Sequence, residues 1–171
     1  MLDELVGKAK DYFNPQFASA FAQSAEHTIH HSIKQRIVMG RPSVKREFVS
    51  EGDIIGSLLM TDAAEKIQCR MQLSFRNETA FYLMDKMLGE SVKQVSPAVK
   101  DLVGEMTNMI YCHARKILNE TGSRFIMGIP QVRLKESALT TPKEQLSYVI
   151  PFVLAGVHDL WVEISVFQKQ N

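Results

Sequence analysis

Cysteine is scarce in this 171-residue chain: Cys69 and Cys112 lie in segments of different character, and neither belongs to a CxxC pair. That excludes a disulfide framework and a cysteine-rich zinc site, and it fits a reducing compartment. An excess of one charge is missing too. The 20 Lys and Arg face 19 Asp and Glu, for a formal net charge of +1, so no overall field draws the chain towards nucleic acid or anionic lipid. Lys8 and Lys10, and Lys45 and Arg46, are small basic groups with acidic neighbours and read as solvated surface. No apolar run reaches membrane-spanning length, and the opening stretch MLDELVGKAKDYF, with Asp3, Glu4 and Asp11, has no signal-peptide core. These absences lead us to expect a cytoplasmic protein that neither binds nucleic acid nor enters a membrane.

What is present is the composition of one ordinary domain over residues 1–171, with 45% hydrophobic and 23% charged residues. A chain of this length buries roughly 70% of the surface its unfolded form exposes, so its core needs no staple. Asn14-Pro15 reads as an N-cap and first-turn proline, and Phe17, Phe21, Ala25, Thr28, Ile29 and Ile33 follow at helical spacing. After Gly40-Arg41-Pro42, strands are expected over Ser43 to Val49 and Ile54 to Met60. A third is marked by Ile67, Cys69, Met71, Leu73 and Phe75 alternating with polar residues. A short helix capped by Asn77 should bury Phe81, Met84, Met87 and Leu88 and stop at Gly89.

Ser96-Pro97 opens a second long helix that should run to about Thr121, and strands are expected near Arg124 to Met127, Gln131 to Leu134, Leu146 to Leu154 and Leu160 to Phe167. The last two form a hairpin across Gly156, and Pro151 should place its strand at an edge or a bulge. The class is α+β: a largely antiparallel sheet with two long helices. The element order suggests two related halves, with no direct sequence repeat apparent.

On the second long helix, at about 100° per residue, Val99, Leu102, Val103, Met106, Ile110, Ala114 and Ile117 fall within one apolar sector. Asp101, Glu105, Asn108, Cys112, Arg115 and Asn119 form a stripe nearly opposite, which should face outward. Glu105 and Asn108 are neighbours one turn apart. Together they present a carboxylate, which can engage a lysine, and a carboxamide, which can orient a water molecule without being titrated.

The run Asp101-Leu-Val-Gly-Glu105-Met-Thr-Asn108-Met109-Ile110 resembles the signature helix of the CheC/CheX family of phosphatases, which act on the phosphorylated response regulator CheY of bacterial chemotaxis. The resemblance extends through Ala114, Leu118, Gly122 and the strand-then-proline pattern from Phe125 to Pro130, and the order of elements looks like CheX over nearly the full length. It implies a CheC/CheX-like fold with a pseudo-repeated arrangement. It also implies an enzyme whose Asn108 orients the water that attacks a receiver's aspartyl phosphate while Glu105 pairs with the receiver's lysine. Magnesium would come from the partner receiver domain, with no cofactor of the chain's own. Asp101 and Cys112 would join Glu105 and Asn108 in the partner-binding stripe, and the chain would form a homodimer through its sheet, using an edge near Pro151. Members with two active helices carry Glu-x-x-Asn twice, whereas the first long helix here reads Glu26-His27-Thr28-Ile29, so one site per chain is expected. Cys112 stands where the family usually has glycine, and its side chain could narrow the receiver's approach. A second reading, a noncatalytic interaction module, follows from resemblance to the middle domains of flagellar switch proteins; the outward Glu105/Asn108 pair is what separates the two.

Other candidates read as structure. His27, His30 and His31 form a local cluster in which His27 and His31 are spaced for a shared metal, yet no carboxylate or fourth ligand is fixed nearby by sequence, and a partly exposed helix surface is expected. His113 belongs to the boundary of the apolar sector, and Met84, Met87, Met106 and Met109 are expected to pack. Cys112 has no histidine placed to activate it as a nucleophile.

Overall fold

The computed structural model describes residues 14–45, 50–62, 67–122, 124–135 and 146–168. Lys8, Lys10, Arg46, the opening stretch through Phe13 and residues 46–49 of the expected first strand lie outside the described residues. Helix α1 (Pro15–Ile33) begins as its sequence dictates: the Asn14 side chain accepts from the Phe17 backbone N–H at 2.7 Å, and Pro15 fills the first turn, where no donor is needed. Two short strands follow, β1 (Ile37–Met39) and β2 (Ser43–Lys45), then the hairpin of β3 (Ile54–Asp62) and β4 (Ile67–Phe75). Helices α2 (Asn77–Leu88) and α3 (Pro97–Glu120) lead to β5 (Phe125–Met127), β6 (Gln131–Leu134), β7 (Leu146–Leu154) and β8 (His158–Gln168).

All eight strands join one antiparallel sheet of order β1-β7-β8-β4-β3-β5, with β2 also on β7 and β6 also on β3. Alternation sends Cys69, Met71, Leu73 and Phe75 of β4 and Leu160, Val162, Ile164 and Val166 of β8 into the core that the helices cover. Helix α3 contributes Val99, Leu102, Val103, Met106, Ile110 and Ala114 to that core, as its apolar sector requires; Ile117 packs at the margin, and Thr107 and Tyr111 are buried as well.

The sheet is built from two related halves that exchange their short strands: β1 and β2 of the first lie on β7 of the second, and β5 and β6 of the second lie on β3 of the first. The expectation of no direct sequence repeat is thereby corrected: Met-Gly-x-Pro-x-Val followed by a basic residue occurs twice in the sequence. Residues 37–45 read IVMGRPSVK and residues 125–133 read FIMGIPQVR. In each, the three residues of a Gly-x-Pro turn stand opposite two residues of the neighbouring strand, 150–151 on β7 and 58–59 on β3. In each, the turn glycine donates to the neighbouring strand, Gly40 N–H to Pro151 O at 2.8 Å and Gly128 N–H to Leu59 O at 2.9 Å.

Of the local expectations, the bulge at Pro151 holds and two others are corrected. Pro151 faces the bulge between β1 and β2, where no ladder donor is required, and not an edge, since β7 is covered on both sides. The sheet edge there belongs to β1 and β2. The cap of α2 is Arg76, not Asn77; the carboxylate of Asp53 accepts from the Asn77 backbone N–H at 3.1 Å, satisfying an end donor from outside the helix. Helix α2 buries Thr79, Ala80, Leu83 and Met84, with Phe81 and Met87 at the margin and Leu88 exposed, because its core-facing stripe lies towards its N-terminal half.

Candidate functional site

Ser96 accepts from the Val99 backbone N–H at 3.3 Å and starts α3, a helix of 24 residues that fixes Glu105 and Asn108 on regular backbone. Two small residues let this helix approach the sheet. A Cβ on Gly104 would come within 3.3 Å of Val132 on β6, and one on Gly56 of β3 would collide with Thr107. With the helix seated, Asp101, Glu105 and Asn108 border a groove of about 590 Å3 whose other wall is the Gly128-Ile129-Pro130 turn, with Lys100, Gly104 and Val132 completing it. Asp101, Glu105 and Cys112 are exposed and Asn108 is half-buried. The Cys112 thiol donates to Asn108 Oδ1 at 3.8 Å, so its side chain turns along the helix towards the carboxamide. Of the same stripe, Asn119 is exposed and Arg115 half-buried, both beyond the groove.

The arrangement offers a solvent-facing carboxylate and a carboxamide one turn apart, both open to a partner approaching along the groove. Chemically, such a pair can accept from an ammonium and hold a water molecule by donor and acceptor together. Sequence spacing set the two side chains together on an outward stripe, and the resemblance to the CheC/CheX signature helix singled them out. Spacing did not locate the facing wall: Ile129, 87% exposed, enters through the turn, and the Phe125 to Pro130 pattern was the only signal for it.

The repeated architecture also shows what stands at the corresponding place on α1. The two caps, Asn14 and Ser96, and their prolines coincide, and burial then runs in step along both helices. By that match the counterparts of Glu105 and Asn108 are Gln23 and Glu26, not Glu26 and Ile29, and no Glu-x-x-Asn is present there.

His27, His31 and His113 come together where α1 crosses α3. The His27 ring stacks on His113 with centroids 4.3 Å apart and meets His31 edge-on at 4.4 Å, and His113 Nδ1 lies 3.1 Å from Ser24 Oγ. The contact to His113 is tertiary and beyond the reach of spacing arguments. Among the described residues no group of three or more His, Cys, Asp or Glu side chains is set to hold a metal ion. Cys69 is buried, and desolvation, reinforced by Asp62, pushes its thiol up to about 12, where it is inert. No helix among the described residues is long and apolar enough to cross a membrane.

The α+β fold with this largely antiparallel sheet is CheC/CheX-like. Residues 58–153 match the family model "Chemotaxis phosphatase CheX", and the chain belongs to the CheX family. It is similar to a CheC-like superfamily protein from Shewanella sp. PV-4, at 25% identity over 91% of this chain and 99% of that one, with a TM-score of 0.80. It is similar to the chemotaxis protein CheX from Vibrio vulnificus, at 27% identity over 86% and 97% of the two chains, with a TM-score of 0.75. Its fold also matches the CheX–CheY–BeF3–Mg2+ complex from Borrelia burgdorferi, at 18% identity over 88% and 97%, with a TM-score of 0.70. No curated protein matches by sequence.

Proposed function

We propose that this CheX-family protein hydrolyses the aspartyl phosphate of a CheY-like receiver domain in the cytoplasm, using Glu105 and Asn108. The observation that carries the reading is the placement of these two side chains on one face of α3, at the border of an open groove rather than inside a closed pocket. A closed pocket suits a small substrate; an open border suits a residue pair that enters the active site of another protein. Asn108 orients a water molecule in line with the phosphorus, Glu105 accepts from the receiver's lysine, and Asp101 and Cys112 flank the contact. Water adds to phosphorus as the bond to the aspartate oxygen breaks, yielding inorganic phosphate and a free carboxylate. The magnesium ion and most of the charge stabilisation belong to the receiver, so the chain acts without a cofactor of its own.

Dephosphorylation of candidate receivers, charged by a small phosphodonor in the presence of magnesium, tests the reading. Acceleration is expected for the cognate receiver, whereas a chain that binds receivers without accelerating phosphate loss is the noncatalytic interaction module. Assembly belongs to the same proposal. Strands β1 and β2 form a sheet edge that exposes Val38, Met39 and Val44, the kind of edge that a second copy can cover. A homodimer is expected in light scattering, and a 19.4 kDa species alone at micromolar concentration would exclude it.

A further inference from the structure

The two Gly-x-Pro turns provide an internal comparison. Both interrupt a short strand, both hold their glycine N–H to the neighbouring strand, and both end in a φ-restricted proline. At the tip, however, the first carries Arg41 and the second Ile129. The fold therefore accepts a charged tip at this turn, and core packing does not explain the isoleucine: at 87% it is the most exposed of the large hydrophobic side chains among the described residues. Ile129 itself lines the groove that Glu105 and Asn108 border. The base of the turn is fixed against β3 by Gly128 N–H to Leu59 O, where a Cβ on Gly128 would stand 3.1 Å from that oxygen. An exposed aliphatic side chain next to a functional pair gains free energy when a partner buries it.

We infer that Ile129 is an apolar docking anchor for the receiver, seated beside the receiver's phosphorylation site when Glu105 and Asn108 enter it. The inference rests on the proposed function and specifies its partner: the receiver must present an apolar side chain or depression next to its phosphoaspartate, at the reach of the turn from Asn108. Ile129 touches no reacting atom. It contributes to complex formation and to the choice among receivers, leaving the chemical step to the pair on α3.

The experiment compares Ile129→Ser, Ile129→Leu and Arg41→Ser with the parent. Binding is measured to a receiver that the parent dephosphorylates, loaded with beryllofluoride and magnesium, and dephosphorylation is followed at saturating phosphorylated receiver. Ile129→Ser is expected to raise Kd by about 10- to 100-fold, the effect of losing one well-buried aliphatic side chain. Its kcat should stay within about threefold of the parent, its melting temperature should be unchanged, and Ile129→Leu should restore most of the affinity. Arg41→Ser should bind as the parent does. Parental affinity in Ile129→Ser, or a loss of kcat with Kd unchanged, overturns the inference and leaves the proposed function standing. A parent that dephosphorylates no receiver overturns both.

Discussion

Gly56 on β3 lies directly beneath Thr107 on α3: a Cβ at position 56 would fall within the van der Waals envelope of Thr107 Oγ1 and 3.2 Å from Val103 Cγ1. Thr107 already returns its hydroxyl to the Val103 carbonyl at 2.7 Å and has nowhere to move. This contact sets the height of the helix that carries Asn108, the next residue. Gly56→Ala is therefore expected to destabilise the protein by about 1–3 kcal/mol through overpacking, and Gly56→Val by more. Chemical denaturation checks this, and near-parental stability in Gly56→Val would show that α3 is free to lift.

Water positioning acts on the chemical step, while an ion pair to the receiver contributes to docking as well. Asn108→Ala should lower the maximal dephosphorylation rate by about 10- to 1000-fold with little change in receiver affinity. Glu105→Ala should weaken both. Neither residue is in the buried core, so both variants should melt close to the parent. Steady-state kinetics over a range of receiver concentration separates the two patterns, and a folded Asn108→Ala with the parental rate would refute the mechanism.

Ala155 carries a positive φ of 52° beside Gly156 at 79° in the β7–β8 turn, which closes with Val157 N–H to Leu154 O at 3.2 Å. Two successive positive φ angles suit asparagine and glycine, whereas an alanine Cβ crowds the backbone there. Ala155→Gly or Ala155→Asn should stabilise by about 0.5–1 kcal/mol and raise the melting temperature by roughly 1–4 °C. An unchanged or lower melting temperature in both would contradict this account of the turn.

The histidines between α1 and α3 make stability depend on pH. His27, with Lys34, slight burial and His30 adding to it, lowers the pKa of His31; burial, then His27 and Lys116, lowers that of His113. The charged neighbours acting on both rings are thus cationic. Below the unfolded value of about 6.5 the unfolded chain binds protons that the folded chain resists, so stability is fully present above that pH and is lost as pH falls towards the lowered values. Glu163 acts in the opposite sense: burial raises its pKa, and its contribution is lost as pH rises through the raised value. Melting temperatures from pH 8 to 5 should show the histidine loss most clearly in a Glu163→Gln background. His27→Gln should flatten the curve, and an unflattened curve would assign the loss elsewhere.

Both long helices were legible from their caps and from the apolar spacing that follows, and β4 from strict alternation, because these signals lie within a few residues of one another. The shared outward face of Glu105 and Asn108 was legible for the same reason, while their candidacy as a site came from the resemblance of the whole run from Asp101 to Ile110. Other features depend on partners far along the chain: Asp53 closing the end of α2, Pro151 facing a bulge on its neighbour, and His113 stacking on His27. The repeat in residues 37–45 and 125–133 stands in the sequence but is short and flanked by helices of unequal length, and the sheet shows what it means by aligning both copies as strand, turn and strand. The same inequality explains why the counterpart of the site on α1 is Gln23/Glu26: counting must start at the caps, not at a shared glutamate.

The exchange of short strands between the halves has a consequence for how the chain reaches its fold. Ile37 must find Leu154 and Ser57 must find Gln131 before either hairpin is flanked, so sheet closure waits on contacts of large sequence separation, and folding should be slow. Neither half supplies the outer strands of its own hairpin, and a fragment ending before α3 would display the bare flank of β3 to other chains. During synthesis that flank stays open until β5 and β6 emerge, and the flank of β4 until β8 does, so the nascent chain should be prone to aggregate before its second half is complete.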